Sequence, residues 1–356
     1  DAAFGTGYRP AGGAWSAPPA PAPVLAVDIP SGVDGLTGAV SGRVLAARRT
    51  VTFAALKPGL LFPPGRELAG VVELAGIGLE ADAAVTARAN LVDSTDVHGW
   101  VPERPVDAHK WRAAVWVVAG SPGMLGAAHL VARAAQRAGA GMVRLSSPGV
   151  SADPAAPTEA VLEVVSGAWA DEVLSGANRV GALVVGPGLG RSEADASESR
   201  ALVAKAEQPV VVDGDGLWAV AGHEALLRAR HGPTVLTPHD GEYARLAGRS
   251  PGDDRLEAAR RLSHDLASVV LLKGPTTVVA EPGGQALVVT EGDARLATAG
   301  TGDVLAGILG ALLAQRVPPF EAAAAAAWLH GAAARRAPAR GMVAGDIVDR
   351  LPEVLP

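Results

Sequence analysis

Val115-Trp116-Val117-Val118-Ala119 is the run whose reading decides the fold. Five successive apolar residues, three of them valine, read as a strand buried on both faces. Gly120-Ser121-Pro122-Gly123 breaks it, and residues 127–138 then carry alanines and larger apolar residues at helical spacing. Gly139-Ala140-Gly141 stops that helix, and residues 142–145 form a second apolar strand. Strand, helix and strand in so short a stretch make a βαβ unit, whose two strands lie parallel.

The same alternation runs outward to the carboxyl end. Residues 182–185, 210–213, 234–236 and 269–273 read as strands that end in Gly-, Asp- or Lys-bearing turns. Residues 276–280 and 286–290 suggest a hairpin, and 303–315 and 321–334 read as late helices. Ala322–327 is a helix-favouring run, not low-complexity sequence. The expected class is α/β, a mostly parallel sheet flanked by helices, with ligands beyond the carboxyl ends of its strands. Toward the amino end, Val24-Leu25-Ala26-Val27-Asp28-Ile29-Pro30-Ser31-Gly32 and residues 50–53 and 71–74 read as the last strands of a second α/β domain lacking its front half. The expected division is 1–80 for that fragment, 81–105 for a linker and 106–356 for the main domain.

Composition narrows the chemistry. The 356 residues are 49% hydrophobic and 19% charged, enough apolar material for a packed core. There is no cysteine, which excludes disulfides, thiolate metal sites and cysteine nucleophiles. A net charge of −6 without a basic run argues against nucleic acid as partner. No stretch reads as a membrane span, and a cytoplasmic protein is expected. Only four of the 31 basic residues are lysine, namely Lys57, Lys110, Lys205 and Lys273, so each merits scrutiny.

The most informative motif is Ala297-Thr298-Ala299-Gly300-Thr301-Gly302-Asp303-Val304, where small residues lead into an apolar helix. Free N–H groups and the positive helix end would converge there on an anion such as phosphate. Asp303 is either the cap of that helix or a base that deprotonates a hydroxyl about to attack phosphorus. Lys273-Gly274-Pro275-Thr276-Thr277 follows a strand and is either a nucleotide-holding turn or an ordinary one. Thr237-Pro238-His239-Asp240-Gly241-Glu242 divides evenly between a ligand site, with His239 as donor and Glu242 toward a metal or water, and a cap built around Thr237 and Pro238. Asp213-Gly214-Asp215-Gly216 suits magnesium or a capped turn. His330, on an alanine-rich helix, reads as packed. Glycines at 120, 123 and 126 miss the dinucleotide fingerprint spacing, and no P-loop exists.

Together these segments resemble the ADP- or ATP-dependent NAD(P)H-hydrate dehydratase family, which has a ribokinase-like fold. The matching pieces run in order from His109-Lys110 through Gly120-Ser121, Gly186-Pro187-Gly188, Asp213-Gly214-Asp215, Thr237-Pro238-His239 and Lys273-Gly274 to Gly300-Thr301-Gly302-Asp303 and His330-Gly331. Ala299 stands where the family usually has another glycine. The resemblance implies that Ala127, Gly188, His239 and Asp303 contact the hydrated nicotinamide, with Asp303 catalytic. Lys273, Gly274, Pro275, Thr276, Thr277 and Gly302 would hold ADP or ATP, with Mg2+ on the phosphates. The implied activity is metabolite repair by nucleotide-dependent dehydration of (6S)-NAD(P)H hydrate. A small-molecule kinase of the same fold and a non-catalytic nucleotide-binding module are the rivals.

Residues 1–80 resemble the carboxyl half of the Rossmann-like NAD(P)H-hydrate epimerase domain that often precedes the dehydratase. The carriers are Asp1-Ala2-Ala3-Phe4-Gly5-Thr6-Gly7 with Arg9, Val27-Asp28-Ile29-Pro30-Ser31-Gly32 and Lys57-Pro58-Gly59. By that resemblance Asp1 and Ser31 would ligate K+, while Gly5, Thr6, Gly7, Tyr8, Arg9, Pro10, Ala11 and Asp28 would touch the hydrate. The family's Asn-rich loop, which completes this site, is not in the sequence, so an incomplete epimerase site is expected. The partners expected are the hydrate, an adenine nucleotide and further copies of the chain in a homo-oligomer.

Overall fold

The computed structural model describes residues 20, 22–40, 42–78 and 87–356. Its contacts fall into two compact units, one up to residue 88 with 252–255, the other covering 89–251 and 256–356. In the first, β1 (Leu25–Val27), β2 (Arg49–Phe53) and β3 (Val71–Ala75) pair in that order, all parallel. Ile29, Val33, Leu60 and Ala69 form its small core. Thr50, buried within β2, satisfies its hydroxyl by donating to the Ala69 carbonyl at 2.7 Å.

Ten strands make the sheet of the second unit. They are β4 (Ala89–Leu91), β5 (Ala114–Val118), β6 (Met142–Ser146), β7 (Ala160–Leu162), β8 (Ala182–Val185), β9 (Val210–Val212), β10 (Thr234–Leu236), β11 (Val269–Leu272), β12 (Thr277–Ala280) and β13 (Ala286–Val289). Their order is β4-β13-β12-β11-β10-β9-β8-β5-β6-β7, and only β12 runs against its neighbours, giving the expected hairpin. Each of β5, β8, β9, β10, β11 and β13 is buried at every position, which is why these strands read as unbroken apolar runs. The stretch 81–105, expected as a linker, instead supplies the edge strand β4 and the helix Ser94–Trp100, capped by Asp93. β4 leaves no signal in the sequence because it has three residues, Ala-Asn-Leu, with no apolar alternation and two exposed positions.

Helix Thr301–Ala314 lies buried along the sheet, packed on helix Leu125–Arg137 and β8. Its glycines make that approach possible. A Cβ on Gly307 would stand 2.3 Å from the Val131 carbonyl oxygen, and one on Gly310 2.4 Å from Val184 Cγ2. Helix Pro319–Arg336 buries six consecutive alanines, Ala322 to Ala327, so its neighbours also come close. This packing fixes the amino end of Thr301–Ala314 beside the carboxyl ends of the strands. Among the described residues no helix is long and apolar enough to cross a membrane.

Candidate active site

β5 pairs with β6 on one side and β8 on the other, so chain order reverses between β5 and β8. A crevice opens at such a reversal beyond the carboxyl ends of the strands. The two glycine loops meet there. The Gly120 N–H donates to the Pro187 carbonyl at 2.7 Å, and Ser121 Oγ donates to the Gly188 carbonyl at 2.9 Å. Gly186 adopts φ +125°, and any Cβ on it would lie 1.9 Å from the Asp213 carbonyl oxygen, so only glycine fits. A Cβ on Gly188 would stand 3.0 Å from Ala127 Cβ. The structure therefore brings Ala127 and Gly188 together, though they are far apart in sequence.

A charge cluster occupies the neighbouring strand ends. Asp213 follows β9 and Thr237 follows β10 in the same register, and Thr237 Oγ1 donates to Asp213 Oδ1 at 2.7 Å. Lys273, following β11, places Nζ 2.9 Å from Asp213 Oδ1 and 3.6 Å from Glu242 Oε2. Burial alone would depress this lysine, but the two carboxylates outweigh it and hold its pKa above the ordinary value. Gly302 faces the same ammonium, since a Cβ there would lie 3.6 Å from Lys273 Nζ and 3.8 Å from Asp213 Oδ2. Of the remaining turn residues, Gly274 and Pro275 are exposed, Thr276 is buried and Thr277 begins β12 half-buried.

Asp303 stands in the first turn of helix Thr301–Ala314. It is not the cap: that position belongs to Gly300, at φ +88°, and no side chain caps the helix. Burial pushes its carboxyl up to about 6, the nearby Asp213 and Asp215 add to this, and Lys273 opposes it. The first-turn N–H groups of Gly302 and Asp303 have no intrahelical acceptor. An uncapped helix end, a lysine and a carboxylate of raised pKa thus surround one opening.

His239 takes a capping role. Its Nδ1 accepts from the Gly241 and Glu242 N–H groups at 3.0 and 3.3 Å, so the imidazole itself caps the next helix, not Thr237 or Pro238. That bond assigns the proton to Nε2, which lies 3.6 Å from Glu242 Oε1 on a side chain 61% exposed. Glu242 closes the capping box by accepting from the His239 N–H at 2.9 Å. Asp215 is engaged elsewhere: it accepts from the Gly190 N–H and from Arg191 Nε, both at 2.9 Å, and so ties down the loop after β8. His330 is buried, and burial drives its pKa down to about 4, leaving Nε2 unpartnered; it is a packed histidine.

In the first unit, Asp28 sits at φ +69° and accepts from Thr52 Oγ1 at 3.1 Å while pairing with Lys57. Burial would raise its pKa, yet the bonds from Lys57 and the Phe53 N–H leave it lowered. Ser31 is buried. Asp1 and residues Gly5, Thr6, Gly7, Tyr8, Arg9, Pro10 and Ala11 lie outside the described residues.

Sequence reasoning did not pair Asp213 with Lys273 or Thr237, because those partners are 60 and 24 residues away. The available signal was their shared place, since all three stand just past neighbouring strands. His109-Lys110, by contrast, precedes β5 and so belongs to the opposite edge of the sheet.

A family model described as NAD(P)H-hydrate dehydratase matches residues 115–356, and one for the YjeF-related protein N-terminus matches 14–59. A bifunctional NAD(P)H-hydrate repair enzyme of Moorella thermoacetica is 40% identical over 383 aligned positions, covering 100% of this chain and 72% of that protein. Its counterpart in Mycobacterium tuberculosis is 45% identical over 308, covering 85% of this chain and 61% of its own length. The chain thus spans 61–72% of the length of these two curated relatives. An ADP/ATP-dependent NAD(P)H-hydrate dehydratase of Bacillus subtilis, co-crystallised with ATP and Mg2+, superposes with a TM-score of 0.63 at 31% identity, over 74% of this chain and 96% of that one. A ribokinase-like superfamily protein of Enterococcus faecalis gives a TM-score of 0.68 at 24% identity, over 77% and 98%, a likeness of fold.

Proposed function

The chain belongs to the NAD(P)H-hydrate dehydratase family, and we propose that its second unit dehydrates (6S)-NAD(P)H hydrate at the expense of ADP or ATP. The observation that carries this reading is the meeting of Asp303, Lys273 and Gly302 at one uncapped helix mouth, beside the Ala127–Gly188 crevice. Asp303, with a pKa of about 6, is ionised in about nine molecules of ten at pH 7 and still basic enough to accept a proton. It takes the proton from the C6 hydroxyl of the hydrate as that oxygen attacks the terminal phosphorus of the nucleotide. The phosphorus–oxygen bond to the leaving diphosphate or monophosphate breaks in the same step. Lys273 and the first-turn N–H groups stabilise the charge on the transferred group. The ring nitrogen then expels phosphate from C6, and loss of a C5 proton restores the dihydropyridine. Phosphorylation makes a leaving group that hydroxide cannot be near neutrality.

His239 Nε2–H, exposed and fixed in tautomer, supplies a hydrogen bond to the substrate, and the Ala127 and Gly188 backbone lets the ring approach closely. Gly274, Pro275, Thr276 and Thr277 line the nucleotide side with Lys273. Among the described residues there is no cluster of three metal-ligating side chains. Magnesium would be held chiefly by phosphate oxygens and water, with Asp213 and Glu242 the carboxylates beside Lys273. Bound there, magnesium would neutralise phosphate charge during transfer.

For the first unit the reading is a half-site of the epimerase, with K+ on Asp1 and Ser31 and the hydrate against Asp28. The buried Ser31 hydroxyl suits a hard cation. Interconversion of the R and S hydrates would require the Asn-rich loop in addition. A cytoplasmic homo-oligomer completes the picture.

The deciding experiment supplies NADH hydrate with ADP or ATP and follows NADH absorbance alongside inorganic phosphate. Equal amounts of both are expected. A stable phosphorylated product would mark a kinase, and no turnover with intact nucleotide binding would mark a binding module.

A further inference from the structure

His109-Lys110 has no part at Asp303, yet His109 lines two adjoining cavities of about 400 and 490 Å3 at the amino ends of the strands. The cavities share His109, Arg112 and Arg316. The first is walled mostly by apolar side chains, Val101, Ala113 and Leu355 among them. The second is a basic bowl that adds Arg179, Asn178 and the Trp111 ring. Glu103, in the first, is the sole acidic side chain lining either cavity among the described residues.

The charges there do not cancel. Arg112 pairs with Asp107 at 3.1 Å, but both side chains are exposed and the pair is weak. Arg179 stands 4.9 Å from the Trp111 ring centroid and Lys110 Nζ 5.9 Å from it, so the indole braces two cations at the rim. Arg316, at φ +69°, follows the end of helix Thr301–Ala314. That helix end carries roughly half a negative charge, too little to offset both Arg179 and Arg316. Two guanidinium groups in a bowl suit the oxygens of a phosphate, and the apolar cleft beside them suits its organic part.

We infer that this bowl and cleft form a second ligand site, for a small organic phosphate whose phosphate group lies on Arg179 and Arg316 and whose apolar body fills the neighbouring cleft. The site is distinct from the nucleotide opening, because one borders the amino ends of β5 and β8 and the other their carboxyl ends. Helix Thr301–Ala314 runs from one to the other, about 21 Å at 1.5 Å per residue.

The test uses 1-naphthyl phosphate and, separately, inorganic phosphate, titrated calorimetrically into the full chain. Arg179→Ser/Arg316→Ser should bind one equivalent of 1-naphthyl phosphate fewer than the unmodified chain. Arg316→Ser alone should weaken that equivalent about tenfold. Inorganic phosphate, lacking the apolar body, should bind there at least tenfold more weakly. Both guanidiniums are solvent-facing, so the double variant should fold; its thermal transition checks this, and Arg179→Lys/Arg316→Lys should keep the lost equivalent at reduced affinity. An unchanged stoichiometry in the serine variant, or no binding by the unmodified chain, overturns the inference. So does equal affinity for the two probes.

Discussion

Replacing Asp303 by asparagine should make the protein more stable while stopping its chemistry. The carboxyl is raised from 3.8 to about 6 by burial, with Asp213 and Asp215 adding to the effect. A rise of that size corresponds to about 3 kcal/mol carried by the ionised group at neutral pH. The sign follows from linkage. A carboxyl whose folded pKa is raised favours the fold fully below the unfolded value, and that advantage is lost as pH rises through the folded value. The stability of the unmodified chain should therefore fall between about pH 4 and pH 6 through this group. Asp303→Asn keeps the shape without the charge, so at pH 7 it should gain about 1–3 kcal/mol, the upper figure being the full charge term.

Activity should move the other way. Loss of a general base costs roughly 100- to 10,000-fold in turnover. The assays are urea unfolding from pH 4 to 8 and phosphate release over the same range. In the unmodified chain, kcat/KM should rise with a midpoint near the Asp303 pKa of about 6, and the asparagine variant should lack that limb. If Asp303→Asn retained most turnover, the base assignment would fail. If it were less stable at pH 7, the claim of a strained buried charge would fail instead.

Three further substitutions probe neighbouring claims. Lys273→Met leaves buried Asp213 with Thr237 as its remaining partner, and should cost about 3 kcal/mol and at least tenfold in nucleotide affinity; adding Asp213→Asn should recover stability by thermal unfolding without restoring affinity. Gly310→Ala drives a Cβ to 2.4 Å from Val184 Cγ2 and should lower stability by about 1–2 kcal/mol, the better helix propensity offsetting part of the clash. His330, depressed from 6.5 to about 4 by burial, contributes stability that is complete above the unfolded value and fades as pH falls toward 4; His330→Leu should flatten that part of the pH–stability curve, read by urea unfolding.

The central sheet was legible because β5, β8, β9, β10 and β11 are buried on both faces and so appear as apolar runs. β4 and β7 were not, each being a three-residue edge strand with two exposed positions. The places of Asp303 at a helix mouth and Lys273 at a strand-end turn were legible from the local sequence. Their dependence on Asp213 was not, because Asp213 acts through space from another strand, and its motif read equally well as a metal site. His239 misled for another reason: histidine is an unusual helix cap, and only the position of Nδ1 against the Gly241 and Glu242 N–H groups reveals one.

The partnership of Lys273 with Asp213 bears on how the site responds to its nucleotide. Asp213 lies 2.9 Å and Glu242 3.6 Å from Lys273 Nζ, and Gly302, lacking a side chain, keeps backbone alone on the side facing that ammonium. A phosphate of the nucleotide would approach Lys273 from that side. Its negative charge then draws on the one cation that currently restrains the pKa of Asp303, beside Asp213 and Asp215, which already raise it. Ground-state binding of a net-negative nucleotide should therefore make Asp303 a stronger base than it is in the free protein. The consequence is visible in kinetics, since kcat/KM reports the free enzyme and kcat the complex. The acid limb of kcat should lie at higher pH than that of kcat/KM, and coincident limbs would mean that Lys273 keeps its hold on Asp303 when the phosphate arrives.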